Sequence, residues 1–364
     1  MTTQINLGAT NLAHHAPVTH GYTKFNLELD SEKVVSAKPI LGSMHRGVEK
    51  LFESRDYRQI LMLANRHEWL GSFAGELGVA QMVEEALGIE VPQSAQWFRT
   101  FLLEYTRVTS HLAFIAGFPW SNEQEALALR NVRELWIKHI AQYTGNRMHP
   151  MITRIGGLSH APTSDWLDQL PNLIAQTNEV IGKNLPQLNS QLAAFAGVGI
   201  LTKEAAIGFS VSGPAARASG YQIDLRPSAR GLKYSELSPS NISFSYGDVA
   251  SRIGLLIAEV GQSLTWLGEL MPICNSKVDE PIDVLLPKVL RVPVGVYEHE
   301  IETPLGIASW LLISTNDKMP YRLKLRPASL HTLLATSEVL RGVNVNQVDA
   351  VIASMPFISG DVDR

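Results

Sequence analysis

Residues 45–88 read HRGVEKLFESRDYRQILMLANRHEWLGSFAGELGVAQMVEEALG. They open a region, about Met44 to Leu188, in which helical patterning dominates. Two further features bear on how this stretch is read. The chain ends in Gly360-Asp-Val-Asp-Arg364, and its one cysteine, Cys274, lies in neither segment. A single cysteine excludes a disulfide framework and any cysteine-ligated iron–sulfur cluster within this chain. A cluster serving it must therefore sit in a partner.

Working outward, the 364 residues are 45% hydrophobic and 18% charged. That composition suits a soluble globular protein with a large core, built as one extended domain or two fused ones. A formal net charge of -4 lacks the basic excess of a nucleic-acid binder, so no nucleic-acid partner is expected. Apolar runs such as Leu112–Phe118 and Ile253–Ala258 fall well short of the roughly 20 residues a bilayer span needs. Membrane contact should be peripheral. Residues 1–21 show neither a basic leader nor an apolar core of a secretory signal, which places the protein in the cytoplasm as an expectation.

Thr23–Asp30 alternates, with Phe25, Leu27 and Leu29 on one side and Lys24, Asn26, Glu28 and Asp30 on the other, the period of a half-buried strand. A turn at Asp30-Ser31 and a second strand through Val34 and Val35 make a hairpin. Trp97, Phe101, Tyr105, Val108, Leu112 and Ile115 recur at helical spacing, entered through Pro92 and closed by Gly117 and Pro119. Glu104, Arg107 and His111 form a neighbouring stripe, expected to pair with each other or with adjacent helices. Gly208–Gly220 reads as a loop, Asp248–Met271 as a further helix, and Gly295–Glu302, Ala308–Ser314 and Tyr321–Arg326 as a small sheet. In its last strand Arg322, Lys324 and Arg326 share a face that is solvated or salt-bridged to a partner. A helix from Ala328 to about Leu340 leads into an extended tail. The result is an α+β chain with a central helical bundle.

Local motifs name no enzyme. Gly197-Val-Gly-Ile-Leu-Thr202 carries threonine where a dinucleotide fingerprint needs its third glycine, so NADH should not bind here. Gly208-Phe-Ser-Val-Ser-Gly213 misses the nucleophile-elbow spacing. His14, His15 and His20 are not expected to form a metal site.

Several blocks taken in order are more specific. Pro17-Val-Thr-His20-Gly21, HRGVEK, the block around Arg66, RMHPMITRIGG (Arg147–Gly157), PYRLKLR (Pro320–Arg326) and the terminal GDVDR together resemble the D-type, 49 kDa subunit of respiratory complex I. That family belongs to the [NiFe] hydrogenase large-subunit superfamily. RDYRQILMLANRHEW, VSGPAARASG and PKVL are most similar to a divergent second copy of this D-type subunit found in some actinobacteria. The resemblance covers nearly the whole chain. It implies the hydrogenase large-subunit fold, a central helical bundle with small N- and C-terminal antiparallel sheets. It also implies one domain over 1–364: a hairpin at about 15–40, a bundle at 44–190 and a mixed α/β part at 191–364.

In the superfamily two cysteine pairs hold nickel and iron. The positions that would carry those thiolates read Glu68, Gly71, Ile358 and Asp361. Soft metal ions need soft ligands, which a carboxylate, a glycine and an isoleucine do not supply, so no metal is expected. The resemblance puts His20 at the quinone-headgroup histidine, where an imidazole can hydrogen-bond a quinone carbonyl and pass a proton. Arg66, His149 and Arg154 fall near the 4Fe-4S cluster of a partner subunit, which they would tune without ligating. The family's tyrosine at the second quinone contact falls on Trp69, whose indole N–H donates a hydrogen bond but has no accessible proton to give. The acidic partner of the quinone histidine has no clear counterpart, Glu123 and Glu125 being the candidates, and a further acidic position is Pro356.

The resemblance therefore implies a peripheral subunit of a proton-pumping NADH:quinone oxidoreductase on the cytoplasmic face of the membrane. It would carry no cofactor of its own and have subunits of B, C, H and I type as partners. NADH is oxidised elsewhere in such a complex. The alternative is a structural subunit that retains the fold and the partner contacts around a degenerate quinone site.

Overall fold

The computed structural model describes residues 20–22 and 24–364 in full, together with the strand backbone of residues 2–5. His14 and His15 lie outside the described residues. Strand β1 (Thr2–Ile5) precedes the hairpin β2 (Lys24–Asp30) and β3 (Lys33–Ile40). The three pair antiparallel in the order β1-β2-β3. Phe25 and Leu27 are buried as the alternation requires. Ser31, at φ 55, takes the left-handed turn position between Asp30 and Lys33. The Lys33–Val34 end of the β3 edge is closed from far away in the chain. Val34 N–H donates to the Val343 carbonyl at 2.9 Å, Gly342 N–H to Val34 at 2.8 Å, and Val345 N–H to Glu32 at 2.8 Å.

Helices α1 (Val48–Phe52), α2 (Tyr57–Ala64), α3 (Ser72–Leu87), α4 (Gln93–Gly117) and α5 (Glu123–Thr144) follow. Asp56 and Gln59 form a reciprocal capping box that fixes the start of α2. A short β4–β5 pair (Thr153–Arg154, Gly157–Leu158), α6 (Ser164–Leu167), α7 (Leu170–Leu192), α8 (Lys203–Gly208), α9 (Gly213–Ala218) and α10 (Val249–Asn275) come next. Strands β6 (Gly295–Thr303), β7 (Gly306–Ser314) and β8 (Arg322–Arg326) form a second three-stranded antiparallel sheet. The chain closes with α11 (Ala328–Val339), α12 (Val348–Ser354) and α13 (Ser359–Asp363).

Helix α4 begins after Pro92, and its predicted apolar stripe is buried. α10 packs along α4, so the bundle is completed by a helix outside residues 44–190. From Ser72 to Glu84 every residue of α3 is buried, because α4 lies on one side of it and the β6–β7 sheet on another. One apolar core runs from Phe25 in the first sheet to Val362 near the end of the chain.

Three expectations need correction. Residues 208–220 are not wholly loop: Pro214, at a first-turn position that wants no N–H donor, and the Ala-rich run after it make α9. Helix α10 passes Pro272 and ends at Asn275. The tail is not extended, because its buried Val351, Ile352, Phe357 and Ile358 fold it onto the core as two short helices. Of the basic face of β8, Arg322 is salt-bridged within the chain, reaching Glu49 at 2.5 Å and Glu53 at 3.0 Å, Arg326 donates to His331 Nε2 at 2.9 Å, and Lys324 is exposed. No helix among the described residues is long and apolar enough to cross a membrane.

Candidate functional site

His20 is buried, 1% exposed, beneath the segment that joins α12 to α13. Its backbone carbonyl accepts from Ser359 N–H at 2.8 Å and from the Ser359 hydroxyl at 2.7 Å. The rings of Phe357 and Phe114 lie edge-on at 4.5 and 5.4 Å. The imidazole Nε2 donates to the Met355 carbonyl at 2.8 Å, which fixes a proton on that nitrogen because a carbonyl can only accept. Burial lowers the His20 pKa to about 4, against the opposing hydrogen bond to Met355. The ring is therefore neutral at pH 7.

Trp69 sits in the Asn65–Gly71 connection between α2 and α3. Its indole is half-buried between Gly21 and Gly360. A β-carbon at Gly21 would come within 2.9 Å of Trp69 Cη2, and one at Gly360 would overlap Cζ3. The absence of side chains at these two positions is what admits the ring. On its other side Trp69 borders a small cavity of about 30 Å³ shared with Tyr105, Arg133 and Met148. His20 and Trp69 are thus brought to one place through Gly21.

Arg66, His149 and Arg154 gather close by. Asn65 links two of them: its side-chain oxygen accepts from Arg66 Nε at 2.9 Å, and its backbone carbonyl from His149 Nδ1 at 3.0 Å. The Asn65 amide donates to Glu76 at 3.2 Å. Arg154 Nη1 donates to the Met151 and Thr153 carbonyls at 3.0 and 2.8 Å, while Arg66 Nη2 lies 3.4 Å from Met151 Sδ. Both guanidinium groups remain on the surface. Burial, and then the Arg66 and Arg46 charges, hold the His149 pKa below the usual histidine value. Glu76, enclosed behind this face, is pushed up to about 7 by burial.

The four positions that the resemblance assigns to metal-binding thiolates, Glu68, Gly71, Ile358 and Asp361, lie close together as well. The Glu68 carboxyl occupies the space that a side chain at Gly71 would need. Asp361 Oδ1 lies 2.6 Å from His67 Nδ1, and Ile358 is fully buried in the core. Burial and then the nearby Asp361 charge raise the Glu68 pKa well above the ordinary carboxylate range. Glu68 Oε1, Asp361 Oδ2 and His67 Nε2 are buried without hydrogen-bond partners. Among the described residues no group of three or more His, Cys, Asp or Glu side chains is placed to hold a metal ion. Neither acidic candidate reaches His20. Glu125 accepts from Asn122 at 3.0 Å, and Glu123 is exposed in the first turn of α5.

Inward from Glu68 lies the stripe of α4. Glu104 accepts from Arg107 at 3.1 Å, Tyr234 at 2.7 Å and Ser263 at 2.6 Å. His111 meets Glu259 at 2.8 Å, and Arg217 joins Glu259 to Glu302 at 2.7 Å each. These groups pair with one another and with neighbouring elements, as the stripe predicts. His67, Asn65, Glu76 and Gly360 were not singled out by sequence reasoning. His67 and Asn65 flank Arg66 in the quoted stretch, which is the one signal that could have found them.

The family described as "Respiratory-chain NADH dehydrogenase, 49 Kd subunit" matches residues 125–289 and 283–364. The second of the D-type subunits of NADH-quinone oxidoreductase in Salinispora tropica is 40% identical over 97% of this chain and 92% of its own length. The first of those in Streptomyces coelicolor is 38% identical over 97% and 94%. Among solved structures, a chain of the membrane-bound sulfane sulfur reductase, an archaeal respiratory membrane complex, superposes with a TM-score of 0.91 at 27% identity, covering 100% of this chain and 98% of that one. The fold, the order of the matched blocks and these likenesses agree: the chain belongs to the family of the 49 kDa subunit of respiratory-chain NADH dehydrogenase, the D-type subunit of NADH-quinone oxidoreductase.

Proposed function

We propose that this chain forms the quinone-reducing end of a proton-pumping NADH:quinone oxidoreductase, together with a cluster-bearing subunit of B type and with C-, H- and I-type subunits around it. In this reading it lies peripherally on the cytoplasmic face of the membrane. NADH is oxidised elsewhere in the complex, and quinone takes two electrons and two protons to become quinol. The observation that carries the reading is the junction of His20, Gly21, Trp69 and Gly360, with Arg66 displayed from the same connection as Trp69 and His149 hydrogen-bonded to that connection at Asn65. His20 presents its Nε2–H to the Met355 carbonyl, and a quinone headgroup offers the same kind of acceptor. Arg66, His149 and Arg154 would face the partner's 4Fe-4S cluster, where positive charge favours the reduced state.

The second reading, a structural subunit with a degenerate site, is favoured by one observation. The Trp69 ring fills the space between the two glycines, and the cavity it borders is small. NADH:quinone activity in membranes carrying His20→Ala, Trp69→Phe or Trp69→Tyr separates the two readings, with an artificial acceptor reporting on assembly. A working site predicts at least a tenfold loss for His20→Ala, in line with the ~10²-fold worth of a positioned acid. It also predicts a raised KM for Trp69→Phe and turnover preserved in Trp69→Tyr. Unchanged quinone turnover in both His20→Ala and Trp69→Phe would discard the assigned residues. A wild-type complex that assembles yet never reduces quinone would install the second reading.

A further inference from the structure

Away from that site, a cavity of about 320 Å³ opens between α3, the 225–234 segment and β6. Five consecutive residues of β6, Glu298 to Glu302, line it. Side chains of a strand alternate between its two faces, so consecutive residues border one cavity only where that cavity meets the edge of the strand. Among the described residues β6 pairs with β7 alone, and the cavity therefore lies along the edge of the sheet that these residues leave unpaired. Such an edge is a row of backbone donors and acceptors ready for another strand.

The side chains around the edge say which strand would fit. Gln81 is 5% exposed and spends its amide N–H on the Arg230 carbonyl at 3.0 Å, but its Oε1 is buried with no partner. His299 has a side chain 9% exposed, with Nδ1 3.3 Å from Glu85 and Nε2 buried with no partner. A carboxylate beside Nδ1 favours the neutral tautomer with its proton on that nitrogen, and in that tautomer Nε2 is an acceptor. The cavity thus presents two unfilled acceptors. Two of its charges are already neutralised, Arg226 by Asp224 at 2.7 Å and Glu302 by Arg217 at 2.7 Å. Glu85, Glu298 and Glu300 then outnumber Arg230. Buried acceptors without donors are costly, about 1–3 kcal/mol each, and a ligand rich in N–H groups removes that cost.

We infer that the free edge of β6 is a docking site for an extended segment of a protein partner carrying arginine or lysine at alternate positions, added as a further strand with a cationic side chain directed at Gln81 and His299. Backbone pairing would give affinity and the acidic rim the selection, the division of labour usual in strand addition. The inference does not depend on the quinone reading, since the cavity shares no lining residue with His20, Trp69 or the Arg66 face.

The test uses the full-length chain and a fluorescent hexapeptide alternating arginine and valine, followed by anisotropy. Saturable binding is expected. It should weaken at least tenfold with Glu298→Lys plus Glu300→Lys, at least tenfold when alternate peptide amides are N-methylated, and fall away for a glutamate–valine peptide. The last two comparisons need no variant protein, so a misfolded double variant does not decide the matter. Equal binding of the N-methylated peptide overturns strand addition, and equal binding of the acidic peptide overturns the cationic partner. In the assembled complex, a photo-crosslinking residue at Ser228 should capture a partner segment with alternating basic residues. Capture of only a second copy of this chain, of lipid, or of nothing refutes the proposal.

Discussion

The indole of Trp69 lies against the Cα of Gly360, 291 positions further along the chain, and a single added methyl group at Gly360 would overlap its ring. Overpacking of a filled site typically costs about 1–3 kcal/mol. Gly360→Ala should therefore lower the thermal midpoint. Gly182→Ala, on α7 where nothing lies within 4 Å of the new carbon, should raise stability by about 0.5–1 kcal/mol through helix propensity. Thermal unfolding of the two variants side by side checks this, and equal midpoints would dismiss the close packing of Trp69 on Gly360.

Acid should weaken the protein through His20. Burial holds its folded pKa near 4, below the ordinary 6.5. The unfolded chain takes up a proton on this residue at a pH where the native chain does not. The contribution is complete above pH 6.5 and is lost as the pH falls toward 4, on the order of 3 kcal/mol in all. Urea unfolding of wild type and His20→Gln between pH 7.5 and 4.5 measures it. The variant should lose less stability over that interval, and parallel curves would rule the effect out.

Arg217 is clamped between Glu259 and Glu302 at 2.7 Å each. Replacing it with methionine leaves two buried carboxylates without their counter-charge, a change that costs about 3–5 kcal/mol. Adding Glu259→Gln and Glu302→Gln should return part of the loss. If denaturant titrations find Arg217→Met as stable as wild type, these pairs do not hold α9, α10 and β6 together.

Cys274 is fully buried near the end of α10, and burial pushes its thiol pKa up. The thiolate is the reactive form. Iodoacetamide should leave the native chain unmodified at pH 8 and label it stoichiometrically in denaturant, read by intact mass. Rapid labelling of the folded chain would contradict this burial.

Much of the fold can be read from local pattern. Helix α4 is long, strongly periodic and flanked by prolines, so both of its ends and its buried stripe are legible. The β2–β3 hairpin and the β6–β8 sheet are legible from alternation for the same reason. Helices α12 and α13 are not, because seven and five residues carry too little periodicity and owe their shape to contact with the rest of the core. The resemblance names His20 and Trp69 together, and geometry brings them to one place through Gly21. No local signal announces that the Glu68 carboxyl folds over Gly71, or that Asp361 meets His67 across 294 positions. Both depend on which distant segments share a cavity. Glu125, one of the two acidic candidates for a partner of His20, is instead tied to its own helix start through Asn122, a contact between residues three apart.

The closure of β3 by residues 342–345 bears on how the protein is made. The hairpin leaves the ribosome long before its cover, and the Lys33–Val34 end of its edge is sealed by backbone groups synthesised about 310 positions later. At roughly 5–20 residues per second, that edge stays open for about 15–60 s in every nascent chain. Contacts so distant in sequence also form slowly once the chain is free. Chaperone occupancy and the rate of translation, more than the stability of the finished fold, should then govern how much of this protein survives its own synthesis.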